Sequence, residues 1–262
     1  MGRALDLALT ARQAAMGAGR ELDLTAAEMP RRRVLAMSLY GPEGVAPTAA
    51  AIERLRSSRH EVTVALGALG AADPVLAADT VRERMAGGKF ANLNRLADAT
   101  APLAADWVLL LDDDVRLSRR FLDRLVCAAE SFGLEMAQPA LSRASHGAWR
   151  VNRRRPALVR QTQFVEIGPA LLLSRKAWRE LTPFPEAGMG WGLCLLWGAT
   201  ARREGWKLGV VDAVPVRNES RPPAASYDRD EARTAAAALL SSHEHLTHAE
   251  AEATLVSHGG LP

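Results

Sequence analysis

Short apolar segments alternate with helical segments through the first half of this chain. Apolar runs over residues 34–40 and 60–66 lie on either side of a predicted helix over residues 48–56. A second helix, predicted over residues 90–99, precedes a third apolar run over residues 106–111. Strands that alternate with helices pair in parallel, because each helix carries the chain back across the sheet. The alternation therefore predicts an α/β fold of three layers, α/β/α, around a mostly parallel central sheet.

The second half of the chain continues this pattern around a long irregular stretch. We predict a helix that starts near Ser118, a strand from Met136, and a loop or edge hairpin that reaches Arg160. One or two strands are expected within residues 164–173. Two helices, a late strand and a helical tail follow, at residues 174–180, 193–204, 206–211 and from 227 onward.

The chain length of 262 residues is sufficient for one large α/β domain with a buried core. We find no internal repeat, so we place this domain over residues 31–220. A helical extension over residues 1–30 precedes it, and a helical tail over residues 221–262 follows it. A hydrophobic fraction of 48% and a charged fraction of 24% are typical of a globular protein and exclude a disordered or collagen-like chain.

The charge of the chain gives little indication of a charged partner. The net charge is only +3, and no basic stripe with interleaved aromatic residues accompanies it, so nucleic acid is not an expected partner. The two cysteines, Cys127 and Cys194, lie far apart in apolar helical contexts. They indicate neither a disulfide framework nor a metal-binding knuckle, which favours a reducing compartment.

The apolar runs are too short to cross a membrane. The longest, around residues 108–111 and 170–173, fall well below the roughly 20 residues that span a bilayer. Arg3 and Asp6 interrupt the first apolar turns, so the N-terminus does not have the uninterrupted apolar region of a secretory signal. We therefore predict a cytoplasmic protein without a transmembrane segment.

Three consecutive carboxylates, Asp112, Asp113 and Asp114, directly follow the apolar run that ends at Leu111. Carboxylates this close repel one another unless a cation lies between them, and core packing does not explain them. Ligand sites of open α/β sheets lie at the carboxyl ends of strands, where one or two carboxylates can hold a divalent ion beside substrate phosphates. The triplet predicts a phosphate-bearing substrate with Mg²⁺ or Mn²⁺; the alternative is a solvated acidic loop.

The triplet and two further motifs resemble those of the GT-A nucleotide-sugar glycosyltransferases, especially the broad family-2-like group. Asp112–Asp114 stand where these enzymes carry their DxD motif, after an apolar strand. The segment 88–95, Gly-Lys-Phe-Ala-Asn-Leu-Asn-Arg, resembles the one that precedes that strand, and Gly-Trp-Gly-Leu at 190–193 resembles their acceptor motif. The resemblance covers roughly residues 33–220 and implies a Rossmann-like GT-A fold. It also implies a hexosyltransferase-like transfer from a nucleoside diphosphate sugar to the hydroxyl of an unidentified acceptor; an inverting reaction is preferred and a retaining one stays open.

The resemblance also implies roles for residues on the donor side. It puts Ser38 and Tyr40, which follow the first strand, near the nucleotide base. It puts Lys89 and Asn92 near the ribose or the diphosphate. The alternative for this last pair is an exposed helix start, since the two glycines before Lys89 are ordinary turn residues.

The aspartate triplet takes the central roles that the resemblance implies. Asp112 and Asp113 would contact the ribose and the donor sugar, and Asp114 would be the principal metal ligand. Asp112 is the second carboxylate predicted to reach the metal. Such a cation acts as a Lewis acid on the departing diphosphate, which gains negative charge as the anomeric bond breaks.

On the acceptor side, the chain departs from the family pattern at two positions. Trp191 and Gly192 are the predicted acceptor contacts, but Cys194 stands where related enzymes usually carry an aspartate base. Asn218 replaces a histidine that commonly binds the metal, and its amide oxygen can still bind a hard ion. A thiol in an apolar setting is a poor proton acceptor for a hydroxyl, so Glu166 and Glu186 are the candidate bases, with Glu166 preferred.

Two rival functions stay open. The first is a degenerate GT-A protein that binds nucleotide or carbohydrate without turnover, which Cys194 and Asn218 suggest. The second is a phosphatase of the haloacid dehalogenase type, whose aspartates also follow a strand. That rival is disfavoured because its motif opens the fold and because Arg116 stands where Thr or Val is expected. The histidines of the tail, over residues 243–248, lack the spacing of a helical zinc motif and indicate a solvated helix.

Overall fold

The computed structural model describes residues 2–186, 189–218 and 228–262. Within these ranges the strands are β1 (Arg33–Tyr40), β2 (Glu61–Ala68), β3 (Thr80–Arg82), β4 (Trp107–Leu111), β5 (Val115–Arg116), β6 (Leu134–Leu141), β7 (Val159–Thr162), β8 (Ala170–Ser174), β9 (Lys207–Asn218) and β10 (Thr254–His258). The helices are α1 (Gly2–Ala15), α2 (Ala18–Glu28), α3 (Val45–Arg56), α4 (Lys89–Asp98), α5 (Phe121–Phe132), α6 (Arg175–Leu181), α7 (Leu193–Arg203), α8 (Arg229–Ser241) and α9 (His248–Ala251). No helix in these ranges is long and apolar enough to cross a bilayer.

The strands form one mixed sheet in the order β10-β7-β9-β6-β8-β4-β1-β2-β3, and β5 pairs with the end of β9. β1 pairs in parallel with β2 and β4, and β6 pairs in parallel with β9. β8 is antiparallel to both of its neighbours, β4 and β6, so β1, β4, β6 and β9 all run in one direction. Their carboxyl ends therefore meet at one edge of the sheet, and the prediction of a mostly parallel α/β core is confirmed.

The two faces of the sheet bury two apolar clusters, because successive side chains of a strand point to opposite faces. In β4, Leu109 and Leu111 pack with α2 and α5, whereas Val108 and Leu110 pack with α4, α6 and α7. All five residues of β4 are buried. A strand that is apolar on both faces fits only between two helical layers, so this run fixes the three-layer architecture.

The predicted N-terminal extension forms the two helices α1 and α2. Leu22 of α2 is fully buried in the cluster shared with α5. Arg124 of α5 makes a bidentate ion pair with Asp23, with both N–O distances at 2.8 Å. On α1, the carboxylate of Asp6 accepts hydrogen bonds from the backbone of residues 143 and 144. The extension is thus packed along its length against the sheet domain.

The predicted helical tail also contributes a strand. β10 pairs antiparallel with β7 at the edge of the sheet, and Leu246, just before α9, is fully buried. The sequence did not predict β10, because its five residues carry no clear apolar alternation, and three of them, including Leu255 and Val256, are exposed. Pairing with β7, not the local pattern, makes this segment a strand.

Arg160 and Asp212 form a buried ion pair between the adjacent strands β7 and β9. The guanidinium donates to both carboxylate oxygens, Nε to Oδ2 at 2.7 Å and Nη2 to Oδ1 at 3.1 Å, and both residues are fully buried. The same guanidinium donates to the carbonyl oxygens of Val151 at 2.6 Å and Arg153 at 3.1 Å. The irregular segment before β7 is thereby attached to the sheet.

We expect Arg160→Met to lower the free energy of unfolding by about 3–5 kcal/mol, because it leaves the Asp212 carboxylate buried without its partner. Urea titration with a constant slope measures the change. Adding Asp212→Asn should recover part of the loss, since the orphaned charge is then gone. A loss below about 1 kcal/mol for the single variant would show that water solvates Asp212 and would contradict this account.

Candidate active site

A cavity of about 590 Å³ opens at the edge where β1, β4, β6 and β9 end. Its lining includes the aspartate triplet after β4, the start of α4, the connection between β7 and β8, the turn before α7, the segment around residues 146–149, the end of β9 and α9. Carboxylate, amine, amide, imidazole and indole groups all reach its surface. It therefore combines charged groups that suit a phosphorylated ligand with aromatic groups that suit an organic one.

Asp112 is partly exposed on the cavity wall and forms an ion pair with the Lys89 amine. Its backbone N–H donates to the carbonyl of Pro169 at 2.8 Å. A Cβ atom on Gly168 would lie 2.7 Å from Asp112 Oδ2, so only glycine permits this close approach. Lys89 neutralises the charge of Asp112. Asp114 and Asn218 are therefore the candidate metal ligands among these residues.

Asp113 turns away from Asp112 toward the connection between β1 and α3. Its Oδ2 accepts a hydrogen bond from the Gly41 N–H at 3.1 Å, and the carboxylate contacts Gly44. A side chain at Gly44 would clash with this carboxylate. Asp113 lines the cavity but is buried, so its carboxylate anchors the loop after β1 beside the site.

Asp114 lies against the side chain of Asn218, because β5 pairs with the end of β9 and brings residues 115 and 218 opposite one another. One end of the Asn218 amide lies 2.8 Å and 3.3 Å from the two carboxylate oxygens. Hydrogen bonding favours the orientation with the amide nitrogen toward Asp114, where it donates to the carboxylate. Rotation of the amide by 180° brings its oxygen there instead, so that carboxylate and amide oxygens converge. The second arrangement is the oxygen donor set that a hard divalent ion takes.

Among the described residues, no group of three or more His, Cys, Asp or Glu side chains is placed to hold a metal ion. The protein offers one carboxylate and one amide oxygen at Asp114 and Asn218. Mg²⁺ and Mn²⁺ are commonly bound by one or two protein oxygens, with water and substrate phosphates at the other positions. The donor set therefore fits an ion that arrives with a diphosphate substrate.

Lys89 and Asn92 lie on the first turn of α4, which follows Gly87 in a left-handed conformation with φ of 97°. Both line the cavity. The Asn92 side chain is buried, and its Oδ1 accepts from Arg95 Nη1 at 2.8 Å, so this amide is engaged within its own helix. The Lys89 amine is the cation that the sequence predicted on the donor side.

Ser38 and Tyr40 do not line the main cavity. The Tyr40 hydroxyl bonds to Thr80 Oγ1 at 2.9 Å and accepts from the Asp73 N–H at 3.2 Å, in a buried cluster with α3. Ser38 borders a space of about 10 Å³ beside Thr48. Strand alternation explains the placement: the odd residue Leu39 of β1 faces the cavity, whereas the even residues face α3. Neither side chain lines the cavity that holds Lys89 and the aspartate triplet, and their contact with the base stays a prediction.

Glu166 lies on the connection between β7 and β8, not on a strand as the apolar pattern predicted. Its side chain is partly buried on the cavity wall, and Oε2 accepts from Asn152 Nδ2 at 3.0 Å. Burial, together with the charge of Asp112, raises the pKa of Glu166 to about 7, against the opposing effects of Asn152, Lys89 and Arg153. A carboxyl group with this pKa exchanges protons near neutral pH.

The other candidate base, Glu186, does not reach the cavity. It is exposed, and Oε1 accepts from Asn94 Nδ2 at 3.3 Å. Cys194 does line the cavity, on the first turn of α7, but burial and the charge of Glu166 raise the pKa of its thiol to about 12. The thiol is therefore protonated at neutral pH, and Glu166 is the candidate base that the cavity holds.

The acceptor motif lies where the cavity meets α7. Trp191 and Gly192 both line it and are half-buried, and Gly192 takes a left-handed conformation with φ of 91° as the residue before α7. Gly190 has φ of 84°, and a side chain there would clash with Phe90. These two glycines fix the turn that presents the Trp191 indole to the cavity.

The far wall of the cavity comes from residues that sequence reasoning did not select. Trp149 packs between Phe164, at 4.5 Å between ring centroids, and His248, at 4.8 Å, and His146 lies beside it. His248 belongs to α9, in the tail that the sequence analysis treated as solvated. No local pattern marks it, because its partner Trp149 lies about a hundred residues earlier in the chain.

The chain has the GT-A fold of nucleotide-sugar glycosyltransferases. It is similar to the mannosyltransferase PcManGT from Pyrobaculum calidifontis, solved in complex with GDP-Man and Mn²⁺, with a TM-score of 0.57 and 13% identity over 96% of this chain and 79% of that one. It is also similar to GalNAc-T7, solved with UDP, GalNAc and Mn²⁺, with a TM-score of 0.54 and 12% identity over 75% of this chain and 46% of that one. No protein-family model and no curated protein matches the sequence. Likeness at these identities establishes the fold, while function has to be argued from the site.

We expect Glu166→Gln to raise the melting temperature above that of the wild type only where Glu166 is ionised. Burial raises the folded-state pKa from 4.5 to about 7, so the wild type loses stability as the pH rises through this window. The variant stays neutral, and its advantage should be absent below pH 4.5 and complete above about pH 7. Melting curves across this range measure it. A pH-independent difference between the two proteins would contradict the assigned ionisation.

Proposed function

We propose that this protein is a metal-dependent glycosyltransferase that moves a hexosyl group from a nucleoside diphosphate sugar to an acceptor hydroxyl. The observation that carries the proposal is the placement of the Asp114–Asn218 oxygen set and the Glu166 carboxyl group on the walls of one cavity. Two structures of the same fold, PcManGT and GalNAc-T7, were solved with Mn²⁺ and with GDP-Man or UDP, which supports this class of donor.

On the donor side, Asp114 and Asn218 would hold Mg²⁺ or Mn²⁺, which, when bound, stabilises the departing diphosphate as a Lewis acid. Lys89 is a second cation at the same wall and is already balanced by Asp112. Without a diphosphate the Lys89 charge stays paired with Asp112, and a diphosphate that enters the cavity gives Lys89 a second anionic partner. Asp112 is then free to accept hydrogen bonds from sugar hydroxyls, as the sequence analysis predicted.

On the acceptor side, Glu166 would serve as the general base. As the acceptor oxygen attacks the anomeric carbon, its proton passes to Glu166, and the electron pair of the broken anomeric bond leaves with the diphosphate. A pKa of about 7 suits this step, because the group is substantially ionised at neutral pH yet basic enough to take a proton. Attack opposite to the leaving group makes the reaction inverting. Trp191 offers an aromatic face against which a saccharide acceptor can pack.

Binding without turnover is the second candidate function, and the protonated thiol of Cys194 favours it. In enzymes that this chain resembles, an aspartate at that position serves as base. The two candidates agree on donor binding and differ only in chemistry. A binding test and a kinetic test therefore separate them.

We expect GDP-mannose or UDP-N-acetylgalactosamine to raise the melting temperature only when Mn²⁺ or Mg²⁺ is present. At a ligand concentration of about 100 Kd the stabilisation is ~2.7 kcal/mol, or roughly 5–10 °C for a chain of this size. Asp114→Ala should abolish the metal-dependent part and leave the fold intact. Asp98→Ala removes an exposed carboxylate at the end of α4 and serves as the matched control. Equal stabilisation by the nucleotide in excess chelator would overturn the metal assignment.

For turnover, we expect Glu166→Gln to lower kcat for transfer or donor hydrolysis at least tenfold, within the usual 10²–10⁴-fold contribution of a general base. Cys194→Ser should change kcat only slightly, because the thiol is protonated in the wild type. Donor affinity, measured separately for each variant, has to be unchanged so that the rate reports proton transfer. A large loss in Cys194→Ser with an unaffected Glu166→Gln would reverse the two roles, and donor binding with no turnover in the wild type would favour a binding protein.

A further inference from the structure

The side chain of Asn152 is completely buried beside Glu166, and its hydrogen bonding is incomplete. Nδ2 donates to Glu166 Oε2 at 3.0 Å, whereas Oδ1 is buried without a hydrogen-bond partner among the described residues. A buried amide oxygen without a partner costs stability, so the amide is retained at this position against a cost. The contact that accounts for this amide is the one it makes with the Glu166 carboxylate.

The backbone around Asn152 is held tightly on both sides. Its carbonyl accepts from the Leu141 N–H at 2.8 Å, and the Leu141 carbonyl in turn accepts from the Arg154 N–H at 2.8 Å. The Arg160 guanidinium of the buried ion pair donates to the carbonyls of Val151 and Arg153, the two neighbours of Asn152. The buried charge of Arg160 is thus used to fix the three-residue stretch that carries the amide.

A residue of the C-terminal segment completes this clamp. Glu252, just after α9, accepts hydrogen bonds from the N–H groups of Arg150 at 2.9 Å and Val151 at 2.7 Å. Asn152 is therefore fixed by β6, by β7 and by the chain after α9. Three separate elements thus hold the backbone of the residue whose side-chain amide contacts Glu166.

The backbone of Glu166 is fixed from the opposite side by Gln138 of β6. Gln138 Oε1 accepts from the Glu166 N–H at 2.7 Å, and Nε2 donates to the Gly168 carbonyl at 3.3 Å. With Oε2 held by Asn152, the other carboxylate oxygen, Oε1, accepts no hydrogen bond from the residues that the structure describes. Glu166 is thus presented with one oxygen occupied and one available.

We propose that Asn152 is the positioning residue for the Glu166 base: it holds Oε2, leaves Oε1 to take the proton of the acceptor hydroxyl, and is itself fixed by Arg160 and Glu252. This inference rests on the proposed function of Glu166. Four other charged or titratable groups face Glu166. They are Asp112 after β4, Lys89 of α4, Arg153 next to Asn152, and Cys194 of α7.

The kinetic test compares Asn152→Leu, which keeps the branched shape of the side chain but removes the donor, with Thr162→Val as a matched control. Thr162 is buried on β7, and its hydroxyl donates to the Phe164 carbonyl at 2.7 Å without contacting Glu166. With GDP-mannose or UDP-N-acetylgalactosamine as donor, Asn152→Leu should lower kcat at pH 7 about fivefold with donor KM nearly unchanged. The acidic limb of its pH profile should move upward by about one pH unit, because the ionised carboxylate has lost a hydrogen bond.

The Thr162→Val control should lose stability but keep the wild-type pH profile. If Asn152→Leu shows that same behaviour, with a loss of activity that follows only the loss of folded protein, then Asn152 is structural and the proposal is overturned. Rates are therefore scaled to the folded fraction of each variant before the pH profiles are compared.

A measurement on the unmodified protein tests the contact without any turnover. The side-chain amide signal of Asn152 in a ¹⁵N–¹H NMR spectrum should shift between about pH 5 and 9 with the midpoint at which Glu166 ionises. The shift should vanish in Glu166→Gln. If the Asn152 signal does not shift as Glu166 ionises, the proposal is overturned. If the Asn152 signal shifts with Glu166 but the protein shows no donor turnover, the contact between the two residues stands and the proposed function is overturned.

Discussion

Repulsion among carboxylates at the open edge of the sheet is the constraint on which the rest of this site depends. Each acidic group of the cavity is balanced by a different element: Asp112 by Lys89 of α4, Asp113 by the loop after β1, Asp114 by the end of β9. Glu166 is balanced by Asn152 from the segment before β7. The fold therefore has to bring four distant parts of the chain to one edge, and parallel strands with a shared carboxyl end do so.

The positions of the aspartate triplet and Lys89 at the cavity could be predicted from the sequence, because the patterns that mark them are local. An apolar run buried on both faces predicts the central strand β4, and three carboxylates after it predict a cation-binding strand end. Lys89 was proposed from the resemblance of the segment 88–95, since the two glycines before it are also ordinary turn residues. The placement of Ser38 and Tyr40 away from the main cavity follows from side-chain parity on β1. A strand flanked by helices on both faces is apolar throughout, so its pattern does not indicate which face carries the cavity.

The acceptor half could not be predicted in the same way, because it depends on contacts between distant residues. Glu166 was selected as an acidic residue in an apolar run, but its partner Asn152 lies in a stretch with no regular pattern. His248 and Glu252 belong to a polar tail whose sequence is typical of a solvated helix, yet one stacks on Trp149 and the other holds the backbone before Asn152. Such roles come from tertiary packing, which overrides local propensity.

The position of Glu252 after α9 has a consequence for the acceptor side of the cavity. Its carboxylate accepts hydrogen bonds from the two backbone N–H groups directly before Asn152. The acceptor side of the cavity therefore depends on the C-terminal segment through these two backbone contacts. The aspartate triplet, Lys89 and Asn218 on the donor side make their contacts with each other and with the loops after β1 and before β8.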